Sequence, residues 1–307
     1  MNLLLVLEQA LNGLQYGVTL FLMAAGLTLV FGIMNLVNLA HGSLYMVGAY
    51  LATTFYQWTG SFLGGVVLAL AATLLTGIAL EMVALRTLYE RDHLDQVLAT
   101  FGLILLFNEL IAILWGRAAL YTGLPAWLGG HVLVLPGVHY PVYRALVIVV
   151  GLAVAALLWA LVARTRVGML IRAGASNRTM VAALGVNIRL LYTLVFGIGA
   201  ALAGLAGLMA GPIYAVQPGM GEEILIQVFV VIVIGGIGSI RGALVGAIIV
   251  GMVDTLGRAF LKPTLATFLS PSAADSAGPA LASMLIYLLM AVVLFLRPQG
   301  LFPVRVR

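Results

Sequence analysis

From residue 9 to residue 80 the chain carries no Lys, Arg, Asp or Glu. A soluble fold keeps its surface charged, and a run this long without charge leaves nothing to turn towards water. At roughly 20 residues per bilayer crossing, the run has room for three membrane helices. The rest of the chain is similar. Of 307 residues, 63% are hydrophobic and 8% are charged. A typical soluble domain has about 25% charged residues. The apolar stretches are continuous rather than alternating, which selects helices over a transmembrane barrel. The 36 glycines suit close packing between such helices. Cysteine is absent, so there is no disulfide frame, thiolate metal site or thiol nucleophile. The net charge of +5 is small and dispersed and gives no basis for nucleic-acid binding.

Charge-poor runs place membrane segments near 10–33, 43–57, 62–84, 97–115, 142–163, 190–211, 224–240, 242–258 and 281–296. The pair 224–240 and 242–258 reads as short and glycine-broken. The expected fold is an all-α integral membrane protein. It is a polytopic helical bundle of about eight or nine membrane segments, some broken or re-entrant, in one transmembrane domain over 1–307. No Lys or Arg precedes Arg86, so no positively charged leader is visible and the first segment should be retained. Basic residues set the orientation. Arg164, Arg166, Arg172, Arg178 and Arg189 crowd one acid-free segment, and Arg297, Arg305 and Arg307 form the tail. Both should be cytoplasmic, and counting crossings puts 86–96 with them. Segments 116–141 and 259–280 and the N-terminus then fall outside. Trp58, Trp115 and Trp127 near span ends read as interfacial anchors.

Several chemistries have no visible signature. There is no G-x-x-x-x-G-K-[ST], no H-E-x-x-H and no G-x-S-x-G. The chain therefore reads as neither an ATPase nor a hydrolytic enzyme. The membrane segments carry few ionisable residues, and Glu109 and Asp254 are the candidates within helices. An ion-driven carrier usually holds more intramembrane charge. Uphill transport would then draw its energy from another subunit.

Four segments carry information. In 31–50, Asn35, Asn38, His41, Gly42 and Ser43 separate two apolar stretches. This is either an ordinary turn or a discontinuous helix beside a solute path. In 234–247, Gly235, Gly236, Gly238 and Ser239 do the same. The two Gly-Ser elements, each followed by Val-Gly-Ala, share a loose pattern that points to an internal repeat. In 172–187, Ser176 or Asn177 can cap a short helix through Arg178, Met180, Ala182, Ala183 and Leu184, with Gly185 closing it. Such a helix either docks into another protein or lies on the bilayer, and docking is preferred. In 197–211, Ala200, Gly204, Gly207 and Gly211 form small-xxx-small spacings that serve packing.

Together the segments FGIMNLVNLAHGSLYMVGAY at 31–50, RAGASNRTMVAALGVNIRLLYTLVFGIGAALAGLAGLMAGPI at 172–213 and VIVIGGIGSIRGALVGAIIVG at 231–251 resemble the permease subunits of branched-chain amino acid ABC transporters. The size is similar to the shorter of the paired permeases. The resemblance covers nearly the whole chain and implies a multi-pass protein of a bacterial or archaeal inner membrane. It implies a second, homologous permease subunit, two cytoplasmic ATPase subunits, an extracytoplasmic solute-binding protein and surrounding membrane lipid. No cofactor is implied for this chain, since ATP would be bound by the partner subunits. It also implies that 172–187 carries the ATPase-coupling helix, and that the solute is a branched-chain amino acid or a related small polar molecule. Ser43 stands where the family pattern usually has Glu, so a carboxylate role at that position does not carry over.

Overall fold

Two helices form the centre of the bundle: α1 (Leu3–Met34) and α8 (Ile188–Ala210). Both are buried along most of their length, because neither has a polar side to give to water. The computed structural model describes residues 3–36 and 38–303. Arg305 and Arg307 of the basic tail lie outside these residues.

Around the central pair stand α2 (His41–Thr59), α3 (Phe62–Val83), α4 (His93–Trp115), α5 (Val142–Arg164), α9 (Met220–Gly235), α10 (Ile240–Leu265) and α11 (Pro271–Leu296). Among the described residues, seven helices are long and apolar enough to cross a bilayer: α1, α3, α4, α5, α8, α10 and α11. With 19 and 16 residues, α2 and α9 are the short ones. At 1.5 Å per residue, α9 rises about 24 Å, less than the roughly 30 Å hydrocarbon core. Eight or nine segments are reached only by counting these two.

Several boundaries differ from expectation: α1 begins at Leu3 rather than near 10, and α11 at Pro271 rather than near 281, so most of 259–280 is helical. Segment 242–258 is not a short broken helix but part of α10, which runs 26 residues. Its glycines do not break it, because they are where other helices touch it. Gly246 lies against α9 and Gly251 against Gly17 of α1. The small-residue stripe of α8 likewise packs within the chain. Gly204 meets Thr73 of α3 and Gly48 of α2, and Gly207 meets the Tyr45 carbonyl. In contrast α3, α4, α5 and α11 leave most of their apolar surface exposed, as lipid or another subunit requires.

The loops sort to two ends. At one end Tyr192 donates to the Ile33 carbonyl, and the amides of Leu301 and Phe302 donate to the carbonyls of Ile234 and Gly235. Segments 35–40, 84–92, 165–187 and 236–239 and the tail therefore share one face, which the excess of Arg makes cytoplasmic. At the other end Leu120 pairs with Val216 in an isolated bridge, and Gly137 packs on Leu4. This outer end holds an unforeseen antiparallel hairpin, β1 (His131–Leu135) with β2 (Val138–Pro141), turning through Gly137 at φ 84°. Trp58 and Trp127 are exposed there, whereas Trp115 is half-buried and donates to Thr54 Oγ1 at 2.8 Å.

A second unforeseen feature closes the cytoplasmic end of α3. Glu81 is fully buried, and it accepts from Arg86 at 3.1 Å, from Tyr89 at 2.7 Å and from Thr193 at 2.7 Å. Burial, followed by the bond to Glu81, pushes the Tyr89 phenol pKa up, so Tyr89 stays a proton donor. Arg86 is one-third exposed, but Glu81 has no route to water. Arg86→Ala strands the carboxylate and should lower the melting midpoint of detergent-solubilised protein by about 5 °C. Glu81→Gln should cost less, because Arg86 can turn to solvent. A scanning-fluorimetry series in the reverse order would contradict this account.

Candidate translocation site

The two polar elements singled out in the sequence end up in different surroundings. Asn35 ends α1 in the left-handed region at φ 51°, which asparagine tolerates better than most residues. The chain then turns back into the protein. Asn38 and His41 are fully buried and Ser43 nearly so. Asn38, Ser43 and Thr28 are among the described residues whose buried polar atoms have no hydrogen-bond partner. The imidazole of His41 lies against Gly26, whose missing side chain leaves it room. Gly42 meets Gly221 at the start of α9. A Cβ on either glycine would come within 2.3 Å of the other's carbonyl oxygen.

In the second element Gly235 packs on the Gly242 backbone, and Gly236 (φ 103°) packs on the tail at Phe302. Ser239 caps α10 by accepting from the Gly242 amide at 3.1 Å. Ser43 does no such thing: it sits inside the first turn of α2, and Ala40 occupies the N-cap without a side-chain bond. The structure brings the two elements together at one place. Gly238 lies opposite Gly32, and a Cβ on Gly32 would sit 3.7 Å from the Gly238 Cα.

That place is the roof of an inner cavity of about 1120 Å³, open towards the cytoplasmic end. Asn35, Arg91, Arg172, Asn177, Arg178 and Gly238 line it. A second cavity of about 800 Å³ lies at the outer end between α1, α9 and α10. Its walls hold Arg144, Glu223, Asp254 and Arg258, together with several amides and Tyr214. Burial raises the Tyr214 phenol pKa, so it remains neutral. Asn38, His41, Gly42 and Ser43 line neither cavity. Of the outer wall, only Asp254 stands out in the sequence, as a charge within a helix. Gln9, Asn12 and Tyr16 on α1 and Glu223 with Gln227 on α9 follow helical spacing and could have been found as a polar stripe.

Gly238 has φ 83°. Leucine there would be strained and would fill the roof of the inner cavity. Gly238→Leu should reduce uptake at least roughly tenfold while leaving assembly intact, since a strained left-handed residue costs on the order of 1–2 kcal/mol. Normal uptake in that variant would remove this segment from the path.

The basic cytoplasmic segment folds as two short helices rather than one. The first, α6 (Arg166–Ser176), ends at Ser176, and α7 (Arg178–Ala183) follows. Asn177 is the cap: its side chain accepts from the Met180 amide at 2.9 Å. Gly185 terminates the turn at φ 86°, with Leu184 as the C-cap. Arg178, Met180, Ala182, Ala183 and Leu184 are all exposed, while Val181 anchors the helix inward.

The family model described as branched-chain amino acid transport system, permease component, matches residues 9–294. The chain belongs to this family. A high-affinity branched-chain amino acid transport permease of Pseudomonas aeruginosa, BraD, is 30% identical over 96% of this chain and 95% of its own length. The corresponding LivH permease of Escherichia coli is 31% identical over 83% of this chain and 87% of its own. A solved inward-facing structure of a metal-chelate type ABC transporter has the same fold, with a TM-score of 0.51 and 19% identity over 94% of this chain and 85% of that one. The chain is therefore a multi-pass membrane permease subunit of the branched-chain amino acid type. Its relatives are transport proteins rather than enzymes.

Proposed function

We propose that this chain is one of two membrane subunits of an ATP-binding cassette importer. It carries branched-chain amino acids, or related small polar solutes such as amides, delivered by an extracytoplasmic binding protein. Separate ATPase subunits bind ATP and drive alternating access, and this chain itself needs no cofactor. The observation that supports this most directly is the pair of cavities at opposite ends, with the buried layer around Asn38, His41, Gly42 and Ser43 between them. A pore would have one continuous void. A carrier needs two voids and a septum that yields, since the solute must lose one opening before it gains the other. The exposed α7 on the cytoplasmic face supplies a surface through which an ATPase could push. A second, homologous permease would cover part of the exposed apolar helices, and lipid the rest.

The test is reconstitution. Proteoliposomes holding this chain, its partner permease, the ATPases and the binding protein should accumulate labelled leucine only with ATP. The chain alone should accumulate none. Uptake by the chain alone on a proton or sodium gradient would make it a secondary carrier instead.

A further inference from the structure

The outer cavity sets charges of both signs, two acids and two arginines, on one polar wall. From α10 come Asp254 and Arg258, one turn apart and bonded at 2.9 Å. From α9 comes Glu223, and from α5 comes Arg144, which donates to Asn12 Oδ1 at 2.6 Å. Tyr16 donates to Gln227. Two guanidiniums and two carboxylates make the wall neutral in sum. Ionisable groups at membrane depth are costly, and they persist where they meet a charged or polar ligand.

The pairing is also incomplete. Asp254 is 93% buried by side chain, judged from its 7% exposure. Only its Oδ2 is bonded, while the buried Oδ1 has no partner among the described residues. The Glu223 carboxylate makes no hydrogen bond among the described residues either, although Glu223 lines the same cavity. Arg258 and Arg144 each spend one nitrogen on a neighbour and keep further donors in their planar forks. The cavity thus offers two carboxylate groups with unused acceptors and two guanidinium groups with unused donors.

We infer that this outer cavity binds the zwitterionic head of an α-amino acid, with the ammonium on Glu223 and Asp254 and the carboxylate on Arg144 and Arg258. A simple cation would be repelled by the two arginines, and a simple anion by the two acids. A molecule carrying both charges meets groups of both signs on this wall. Affinity must stay weak, since the solute has to move on. The inference rests on the transport reading for its solute class, but the site can be tested without transport.

The chain has no cysteine, so a single one placed in the cavity reports occupancy. Ala259→Cys on α10 and, on the opposite wall, Ala215→Cys would be labelled with a membrane-impermeant maleimide in the assembled complex, without ATP or binding protein. Glycine and leucine at ten times their dissociation constant should each slow labelling roughly tenfold. Methylamine and acetate, each carrying half of the head group, should not protect. Glu223→Gln and Asp254→Asn should abolish protection while leaving the unprotected labelling rate, and hence the fold, unchanged. Several results would overturn the site: no protection by either amino acid in both cysteine variants, equal protection by methylamine or acetate, or full protection in both acid variants. Leucine uptake by the same complex, measured separately with ATP and binding protein, keeps the two readings apart. Uptake without protection rejects this site alone, and protection without uptake rejects the importer.

Discussion

Gly42→Leu should abolish uptake and lower the stability of the subunit, more than any change to a glycine on the lipid face. The cause is geometric. At the Gly42–Gly221 crossing the two backbones meet directly, and a Cβ on Gly42 would come within 2.3 Å of the Gly221 oxygen and 2.8 Å of its carbon. Backbone cannot rotate away as a side-chain tip can, so α2 and α9 must separate. Overpacking of this kind costs about 1–3 kcal/mol or more. Here it would also open the buried layer between the two cavities. Gly42→Ala should act in the same direction with smaller effect, and Gly221→Ala should match it, because the contact is reciprocal. Gly102→Ala on α4 is the control: nothing lies within 4 Å, and alanine favours the helix. Melting midpoints and ATP-driven uptake would be measured for all four. A Gly42→Leu protein with normal midpoint and uptake would show that the crossing is not tight.

That crossing also marks where the sequence stops being legible. The membrane class, the helical fold and the sidedness of the loops follow from where charge is missing and where arginine collects. Both are one-dimensional signals. The capped α7 was readable for the same reason, since Asn177, Met180 and Gly185 act within a few residues of one another. The partner of Gly42 was not readable. Gly221 lies far along the chain, in a helix whose sequence gives no hint of where it crosses α2. The outer cavity was hidden for a different reason. Its charges come from three helices, Arg144 on α5, Glu223 on α9 and the Asp254–Arg258 pair on α10, and no stretch of sequence shows them together. In the sequence Glu81 is only the first charge after residue 80, and only the fold shows Arg86, Tyr89 and Thr193 gathered around it.

Met180→Asp with Leu184→Asp should separate ATP hydrolysis from uptake without affecting membrane insertion. Met180 is 59% exposed and Leu184 is 77% exposed, on a helix of six residues. A helix this short is not stable by itself. It is held by the Asn177 cap, by the inward Val181 and by the Gly185 turn. Such a fixed, apolar, exposed knob loses stability in water unless something covers it. If an ATPase groove covers it, the two residues are anchors, and losing anchors worth upward of about 1 kcal/mol each weakens docking at least roughly 30-fold. Co-purification of the ATPase should fall accordingly, and any ATPase that still binds should hydrolyse ATP without moving solute. Asn177→Ala removes only the cap, at about 1 kcal/mol, and should give a milder version of the same defect. If lipid covers the knob instead, the acidic pair would free the helix from the bilayer but leave ATPase recovery unchanged. Recovery of the ATPase at the wild-type level would therefore assign α7 to the membrane surface and take the coupling role away from it.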